Sequence, residues 1–146
     1  MIQKRKPNEK GERGASLLEF AIAATVFLTV LFAIVEFGRA LWVHNALTDA
    51  ARRGARYAVL HKSAEIEDVK KVVVYGDLTE TTPILENLTT GNVDVVYNGF
   101  KLDGGTVVVS VHDYQFQMIL PLVVSTIQMP NYTTTLTGES VGLIPE

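Results

Sequence analysis

The sequence predicts an α+β protein, in which one long N-terminal helix continues into a small domain with an antiparallel sheet of about three to four strands. The first observation is an apolar stretch that includes sixteen consecutive uncharged residues, 20–35. The second is that, after Leu60, helical periodicity gives way to short alternating segments separated by turn residues. We therefore expect an unstructured basic leader at 1–14, a long helix at 15–60 and a small domain at 61–146.

The long helix is predicted to cross a membrane. Its apolar length exceeds what a core built from the remaining residues would bury, and about 20 helical residues span the roughly 30 Å of bilayer hydrocarbon. A helix that begins near Ala15 therefore leaves the membrane near Trp42, a residue type that is common at membrane interfaces. The rest of the helix, to Leu60, is predicted to lie outside the membrane.

The charges predict the orientation of this helix. The formal net charge of −3 combines a basic leader with an acidic remainder, which argues against nucleic acid as a partner. Basic residues favour the cytoplasmic side, so we expect the N-terminus inside and the small domain outside. Five basic residues precede the apolar stretch, and three arginines follow in the later helix: Lys4, Arg5, Lys6, Lys10 and Arg13, then Arg52, Arg53 and Arg56.

A motif lies where the leader meets the helix. Gly14 and Ala15 are followed by a serine, two leucines, Glu19 and Phe20. This arrangement resembles the class III signal of type IV prepilins, in which a membrane peptidase cuts after the glycine. The resemblance implies cleavage between Gly14 and Ala15. It also implies subunit assembly through Glu19 and Phe20, with Glu19 facing the new amine of a neighbouring subunit. A plain, uncleaved signal anchor is the alternative.

Two further motifs narrow the resemblance. They are Glu-Phe-Gly-Arg at 36–39 and Ala-Ala-Arg-Arg-Gly-Ala-Arg at 50–56. At this spacing they resemble the TadE-like pseudopilins of the tight-adherence (Flp, type IVc) pilus system. Thr25 stands where many relatives have proline, and Arg53 where they often have glutamate. The resemblance implies helix packing or partner contacts at Glu36, Gly38, Arg39, Asn45, Arg52, Gly54 and Arg56.

The resemblance also implies a function, which is that of a minor pilin or pseudopilin in the assembly of a tight-adherence pilus. Its implied partners are a prepilin peptidase, other pilins and pseudopilins, an inner-membrane assembly platform and membrane lipid. The implied location is the bacterial inner membrane, with the small domain in the periplasm or outside the cell. The alternative function is a membrane-anchored periplasmic binding or adaptor module that keeps its leader.

The later helix carries a stripe of small and apolar side chains at helical spacing. Gly54 costs up to about 1 kcal/mol relative to alanine inside a helix, so we expect either the chain's own sheet or a partner helix to pack against it. Asp49 is placed to pair with Arg52 on a solvated face, and Glu36 with Arg39 near the outer membrane interface. The stripe consists of Val43, Leu47, Ala50, Ala51, Gly54 and Ala58.

The small domain is predicted to begin with a short helix that Ser63 caps and Gly76 ends. Turn residues and alternating valines then predict a hairpin. A short helix beyond the hairpin is implied by the resemblance. The predicted elements after Gly76 are strands at 93–97 and 106–111, the short helix within 118–127 and a last strand within 132–141.

The sequence contains no pattern typical of catalysis. It has no cysteine, and its three histidines lack the spacing of metal ligands, so we expect no enzyme activity, metal or cofactor. Asp113, beside His112, should project to the opposite face of the sheet, which argues against a catalytic dyad. Glycosylation patterns at Asn87 and Asn131 are short enough to arise by chance.

Overall fold

The computed structural model describes residues 9–61, 65–99, 105–119 and 125–138, with the side chains of the first helix described from Gly14 onward. The α+β prediction is confirmed, with five strands in two sheets. The chain divides into two compact units, one up to Gly38 and one from Arg39. The elements are α1 (Glu9–Leu60), α2 (Ile66–Tyr75), β1 (Val93–Asn98), β2 (Thr106–Val111), β3 (Gln115–Gln117), β4 (Thr126–Gln128) and β5 (Tyr132–Thr137).

The first unit is the earlier part of α1. The helix begins at Glu9, so residues 9–14 are helical, whereas the sequence analysis expected an unstructured leader there. Glutamate, lysine and arginine have high helix propensity, and these residues extend a helix that the apolar segment already forms. Thr25 and Thr29 each donate a hydroxyl hydrogen bond of 2.8 Å to the carbonyl four residues before. Their polar groups are thus satisfied within the helix.

One described helix is long and apolar enough to span a membrane. It lies within Gly14–Leu60, and its most apolar window contains no buried residue. Large side chains on all sides are exposed, among them Phe20, Val26, Ile34 and Phe37. A helix that is apolar all round and has no protein partner is typical of a membrane span. The helix therefore suggests single-pass membrane anchoring.

The second unit contains the last turns of α1, which form part of its core. Val43, Leu47, Ala50, Ala51 and Ala58 are all buried, and Ala55 and Val59 join them. The core is completed by valines of α2 and β2, by Phe116 of β3 and by Tyr132 of β5. Most of the side chains that α1 contributes to the core are alanines. Their small size lets the helix axis come close to the elements that cover it.

Helix α2 ends as predicted but begins differently from the expected cap. Gly76 adopts the left-handed conformation (φ 86°) and its N–H donates to the Val72 carbonyl. Glu65 occupies the N-cap position without a side-chain hydrogen bond, and the predicted cap Ser63 lies outside the described residues. Ile84 N–H then donates to the Val74 carbonyl at 2.9 Å, so the chain returns along the end of α2.

The larger sheet has the order β1-β2-β5 and is antiparallel throughout. The predicted hairpin is confirmed, with Val93 opposite Val111 and Asn98 opposite Thr106. Alternate residues of β2 are buried, as expected for a central strand with one face on a core. In β5, Tyr132 is buried, and Thr133, Thr135 and Thr137 lie on the more exposed face. Residues 100–104, between the two strands of the hairpin, lie outside the described residues.

The second sheet pairs β3 with β4, and Phe116 lies opposite Ile127. The short helix expected within 118–127 is wrong for residues 126–128, which are extended; residues 120–124 lie outside the described part. Thr126 and Ile127 are β-branched and favour a strand. Met118 N–H also donates to the Ser125 carbonyl at 3.0 Å, which continues the ladder.

Candidate functional site

The start of the apolar segment is open on every side. Gly14, Ala15, Glu19 and Phe20 are exposed, and Phe20 has 71% of its surface accessible. A Cβ added to Gly14 would meet no atom within 4 Å. Nothing in the described structure therefore blocks a second protein from reaching the backbone at this point.

Ala15 and Glu19 are one helical turn apart. Residues at i and i+4 lie on the same face, with Cβ atoms roughly 5–6 Å from each other. Within the described side chains, Glu19 makes no hydrogen bond or ion pair. The Glu19 carboxylate is thus available to a group outside the described residues.

The Glu-Phe-Gly-Arg motif combines buried and exposed positions. Glu36 is the buried charged side chain of the described residues, with only 8% of its surface accessible. Phe37 and Gly38 are exposed, and a Cβ on Gly38 would meet no atom within 4 Å. Glu36 therefore differs from its neighbours in the same turn. A buried carboxylate costs free energy unless it is paired, so Glu36 is the candidate functional residue of this motif.

Arg39 is bound to the second sheet. Its guanidinium carbon lies 4.5 Å from the centre of the Phe116 ring, and its Nη2 donates to the Gln117 carbonyl. A guanidinium over an aromatic face contributes roughly 0.5–1 kcal/mol at a partly exposed site. Arg39 thus joins α1 to β3 within the second unit. Asn45 is exposed, as is Trp42, whose role as a membrane anchor stays a prediction.

Gly54 lies at the closest contact between α1 and its own domain. A Cβ at this position would overlap Cγ2 of Val73 and would lie 3.5 Å from Cγ1 of Val109 and 3.7 Å from Cγ1 of Val69. The small-residue stripe therefore packs on α2 and β2 of the same chain. The helical glycine has a structural reason, since any side chain here would push α2 away.

The three arginines after Ala51 have different surroundings. Arg52 is exposed and lies 3.7 Å from Asp49, as i,i+3 spacing allows. Arg53 lies beside the end of α2, because a Cβ on Gly76 would be 3.0 Å from its Nη1. A cavity of about 330 Å³ opens next to it. Its walls are formed by Arg53, Arg56, Tyr57, Leu60, Val72, Gly76, Asp77 and Leu78.

His112 is held between two carboxylates. Its Nδ1 lies 3.0 Å from Oδ2 of Asp113, and its Nε2 lies 3.1 Å from Oδ2 of Asp94 without hydrogen-bond geometry. The expectation that His112 and Asp113 point to opposite faces is wrong, because β2 ends at Val111 and Asp113 turns to φ 54°. Sequence alone gave no signal for Asp94, which comes from the neighbouring strand.

This histidine cluster joins three segments of the domain. Gln128 of β4 donates to Asp113 Oδ1 at 3.2 Å, and Asn92 donates to the His112 carbonyl at 3.2 Å. In the described part of the chain, no group of three or more His, Cys, Asp or Glu is arranged to hold a metal ion. The contacts explain how the end of β2 is tied to β1 and β4.

Comparison with known proteins gives one match. Residues 14–56 match the family model of TadE-like protein. This part of the long helix is therefore similar to TadE-like protein. The resemblance inferred from the motifs is thereby confirmed over the segment that contains them. No curated protein and no solved structure matched the chain.

The matched segment covers most of the long helix. It begins at Gly14, where the helix is open, and it ends at Arg56, within the buried stripe and before Ala58. Residues 57–146 lie beyond the matched segment, and their fold is described by the structure alone. The similarity to TadE-like protein is thus limited to the long helix.

Tyr97, Tyr114 and Tyr132 lie in the core of the small domain or pack against it. Tyr114 donates its hydroxyl to the Glu86 carbonyl at 2.9 Å, and burial raises the pKa of Tyr114. Burial also raises the pKa of Tyr132, whose hydroxyl lies 2.9 Å from Nδ1 of His44. Burial raises the pKa of Tyr97, and the nearby Tyr57 adds a smaller electrostatic increase. Each phenol is thus favoured in its neutral form in the folded domain.

Proposed function

We propose that this chain is a minor pilin or pseudopilin of a tight-adherence pilus, made as a precursor and processed by a prepilin peptidase. The peptidase removes residues 1–14 by cutting between Gly14 and Ala15. The mature helix then stays in the bacterial inner membrane, with the small domain on the periplasmic side. Its partners are the peptidase, other pilins and pseudopilins, the inner-membrane assembly platform and lipid.

The observation that carries this proposal is the position of Gly14. The TadE-like match begins at this glycine, and an exposed apolar helix follows it directly. Gly14 is helical in the structure, and a protease needs an extended backbone. Glycine lowers the cost of local unwinding, since it is about 1 kcal/mol less favourable in a helix than alanine.

Glu19 has a specific part in the proposed assembly. Cleavage creates a positive amine at Ala15, and Glu19 lies one turn away on an exposed face. A carboxylate near the edge of the hydrocarbon is costly, by up to about 2.5–3.5 kcal/mol at the centre of a helix on insertion scales. An amine from a neighbouring subunit offsets this cost and sets the register of the two helices.

Mass spectrometry of the N-terminus tests the proposal. The chain is expressed in a host with its active prepilin peptidase, and the mature protein is expected to begin at Ala15. Gly14→Leu should leave the precursor intact, whereas Gly11→Ala serves as a control that keeps processing. A wild-type chain that keeps residues before Ala15 in this host would contradict the proposal and favour the uncleaved membrane-anchored binding module.

A further inference from the structure

The cavity beside the end of α1 has one basic wall and one apolar wall. We call it the arginine groove, and it is formed by Arg53, Arg56, Tyr57, Leu60, Val72, Gly76, Asp77 and Leu78. Its volume of about 330 Å³ is at the lower end for ligand sites, and it is open to solvent. It is therefore shaped to take part of a larger molecule, such as one or two side chains of a peptide.

The two arginines of the groove have unused charge. Within the described residues, neither Arg53 nor Arg56 makes an ion pair or hydrogen bond, whereas the adjacent Arg52 pairs with Asp49. Residues 39–146 carry eight Lys and Arg against twelve Asp and Glu, a formal charge of −4. These two guanidiniums therefore place positive charge together in a domain that is acidic overall. They complement an anionic partner.

The acidic side chain of the groove, Asp77, offsets one of the two arginine charges and leaves a formal charge of +1. Asp77 accepts a hydrogen bond of 3.0 Å from the N–H of Thr79 and one of 3.3 Å from its hydroxyl. These bonds hold the carboxylate in its own turn, and the backbone N–H bonds of Thr79 and Leu78 lower the pKa of Asp77. The groove therefore presents donors from its arginines and a carboxylate that is already bonded.

The apolar wall is exposed in spite of its composition. Leu60 and Leu78 have 56% and 43% of their surfaces accessible. Tyr57 is fixed by stacking on His61 at 4.2 Å, so this wall has a defined position. A stacked aromatic ring and two exposed leucines, next to two arginines, are features of a protein contact surface.

We propose that the arginine groove is a docking site for an acidic segment of a partner protein, one that alternates carboxylates with apolar side chains. In an extended segment, alternate residues point to opposite sides, so carboxylates meet the arginines while leucine-like side chains lie against Tyr57 and Leu78. Arginine is suited to this role because its planar guanidinium binds carboxylates with two parallel hydrogen bonds. This proposal stands independently of leader cleavage and of Glu19.

The test uses the full chain in nanodiscs of zwitterionic phosphatidylcholine and fluorescein-labelled peptides. The probe alternates leucine and glutamate, and the matched peptide replaces each glutamate with glutamine. Fluorescence anisotropy should show binding of the acidic probe that weakens with added salt, and at least tenfold weaker binding of the glutamine peptide. No binding of the acidic probe at 1 mM, or equal binding of both peptides, would overturn the proposal.

Variants locate the binding. Arg56→Gln should weaken binding of the acidic probe about tenfold, since it removes one bidentate contact, and Leu78→Ser should also weaken it. Arg52→Gln is the matched control, because it changes an exposed arginine of the same helix that does not line the groove. Circular dichroism confirms that each variant is folded. Unchanged affinity of Arg56→Gln, or displacement of the probe by inorganic phosphate at equal concentration, would overturn the proposal.

Discussion

Gly54 of α1 lies directly against Val73 of α2, so closely that a single added methyl group would overlap the valine side chain. The contact fixes the distance between the two helices. It explains the glycine by a contact within its own domain. The sequence alone also allowed packing against a partner helix.

Gly54→Ala should therefore destabilise the domain, by roughly 1–3 kcal/mol according to the overpacking rule. Urea unfolding of the full chain in detergent, followed by circular dichroism, measures the loss. Gly38→Ala is the control, because a Cβ there meets no atom within 4 Å and alanine favours the helix. Val73→Ala makes room, so the double variant should lose less than the sum of the two single variants. Strict additivity would contradict the contact.

Arg39 and Phe116 should be energetically coupled. The guanidinium lies over the ring at 4.5 Å, and such a pair contributes about 0.5–1 kcal/mol. A double-mutant cycle with Arg39→Gln and Phe116→Leu measures this term by urea unfolding. Phe116→Leu keeps most of the buried apolar volume, so the coupling energy isolates the aromatic face. A coupling energy of zero would show that Arg39 acts only through its bond to the Gln117 carbonyl.

Gly76→Ala should cost more than Gly99→Ala. Both glycines have positive φ, 86° and 59°, so alanine introduces backbone strain of about 1 kcal/mol at each. At Gly76 the new Cβ would also lie 3.0 Å from Nη1 of Arg53, whereas at Gly99 it would meet no atom. The difference in unfolding free energy between the variants reports the arginine contact. It should shrink when both variants also carry Arg53→Ala.

The domain should lose stability in alkali. Burial raises the pKa of Tyr97, Tyr114 and Tyr132, so above about pH 10 the unfolded chain releases phenol protons before the folded chain does. The stabilising contribution is complete below the unfolded pKa and is lost as pH rises through the folded pKa. Tyr114→Phe should lower stability at pH 7 by about 1 kcal/mol and make the alkaline loss shallower. Urea midpoints between pH 7 and 11 check both effects, and an unchanged slope would rule out Tyr114.

Glu19→Gln should separate insertion from assembly. The change removes the charge and keeps the size, so membrane insertion and leader removal should survive, while co-purification with other pilin-like subunits should fall. The neutral amide no longer attracts the amine of a neighbouring helix. Equal recovery of such subunits with wild type and variant would leave Glu19 without an assembly role.

Local patterns predicted much of this fold. The apolar run, the glycine that ends α2 and the valines of β2 each point to one local structure, and each is found there. The pairing of β2 with β5 was harder to predict from the sequence, because residues 115–128 lie between the two strands and form a separate small sheet. Those residues were expected to include a helix. Their pairing places Phe116 opposite Ile127, and no local sequence pattern indicates that these two residues meet.

The candidate site was predictable to a different extent. Gly14, Glu19 and the two later motifs were identified by their resemblance to prepilins and TadE-like pseudopilins, and the matched segment contains all of them, while their roles stay predictions. The arginine groove was not predictable, since Arg53 and Arg56 are joined there by Leu78, which follows a second helix. The contact of Asp94 with His112 likewise requires strand pairing across a hairpin.

The packing of Gly54 on Val109 also bears on how the protein is made. A ribosome completes the stripe of α1 first, and Val109 follows Gly54 by 55 residues. At about 5–20 residues per second, this separation lasts roughly 3–11 seconds. During that time Leu47 and its small neighbours have no strand to cover them. A nascent chain therefore presents this face to chaperones, or to the helix of a neighbouring chain, before its own sheet exists.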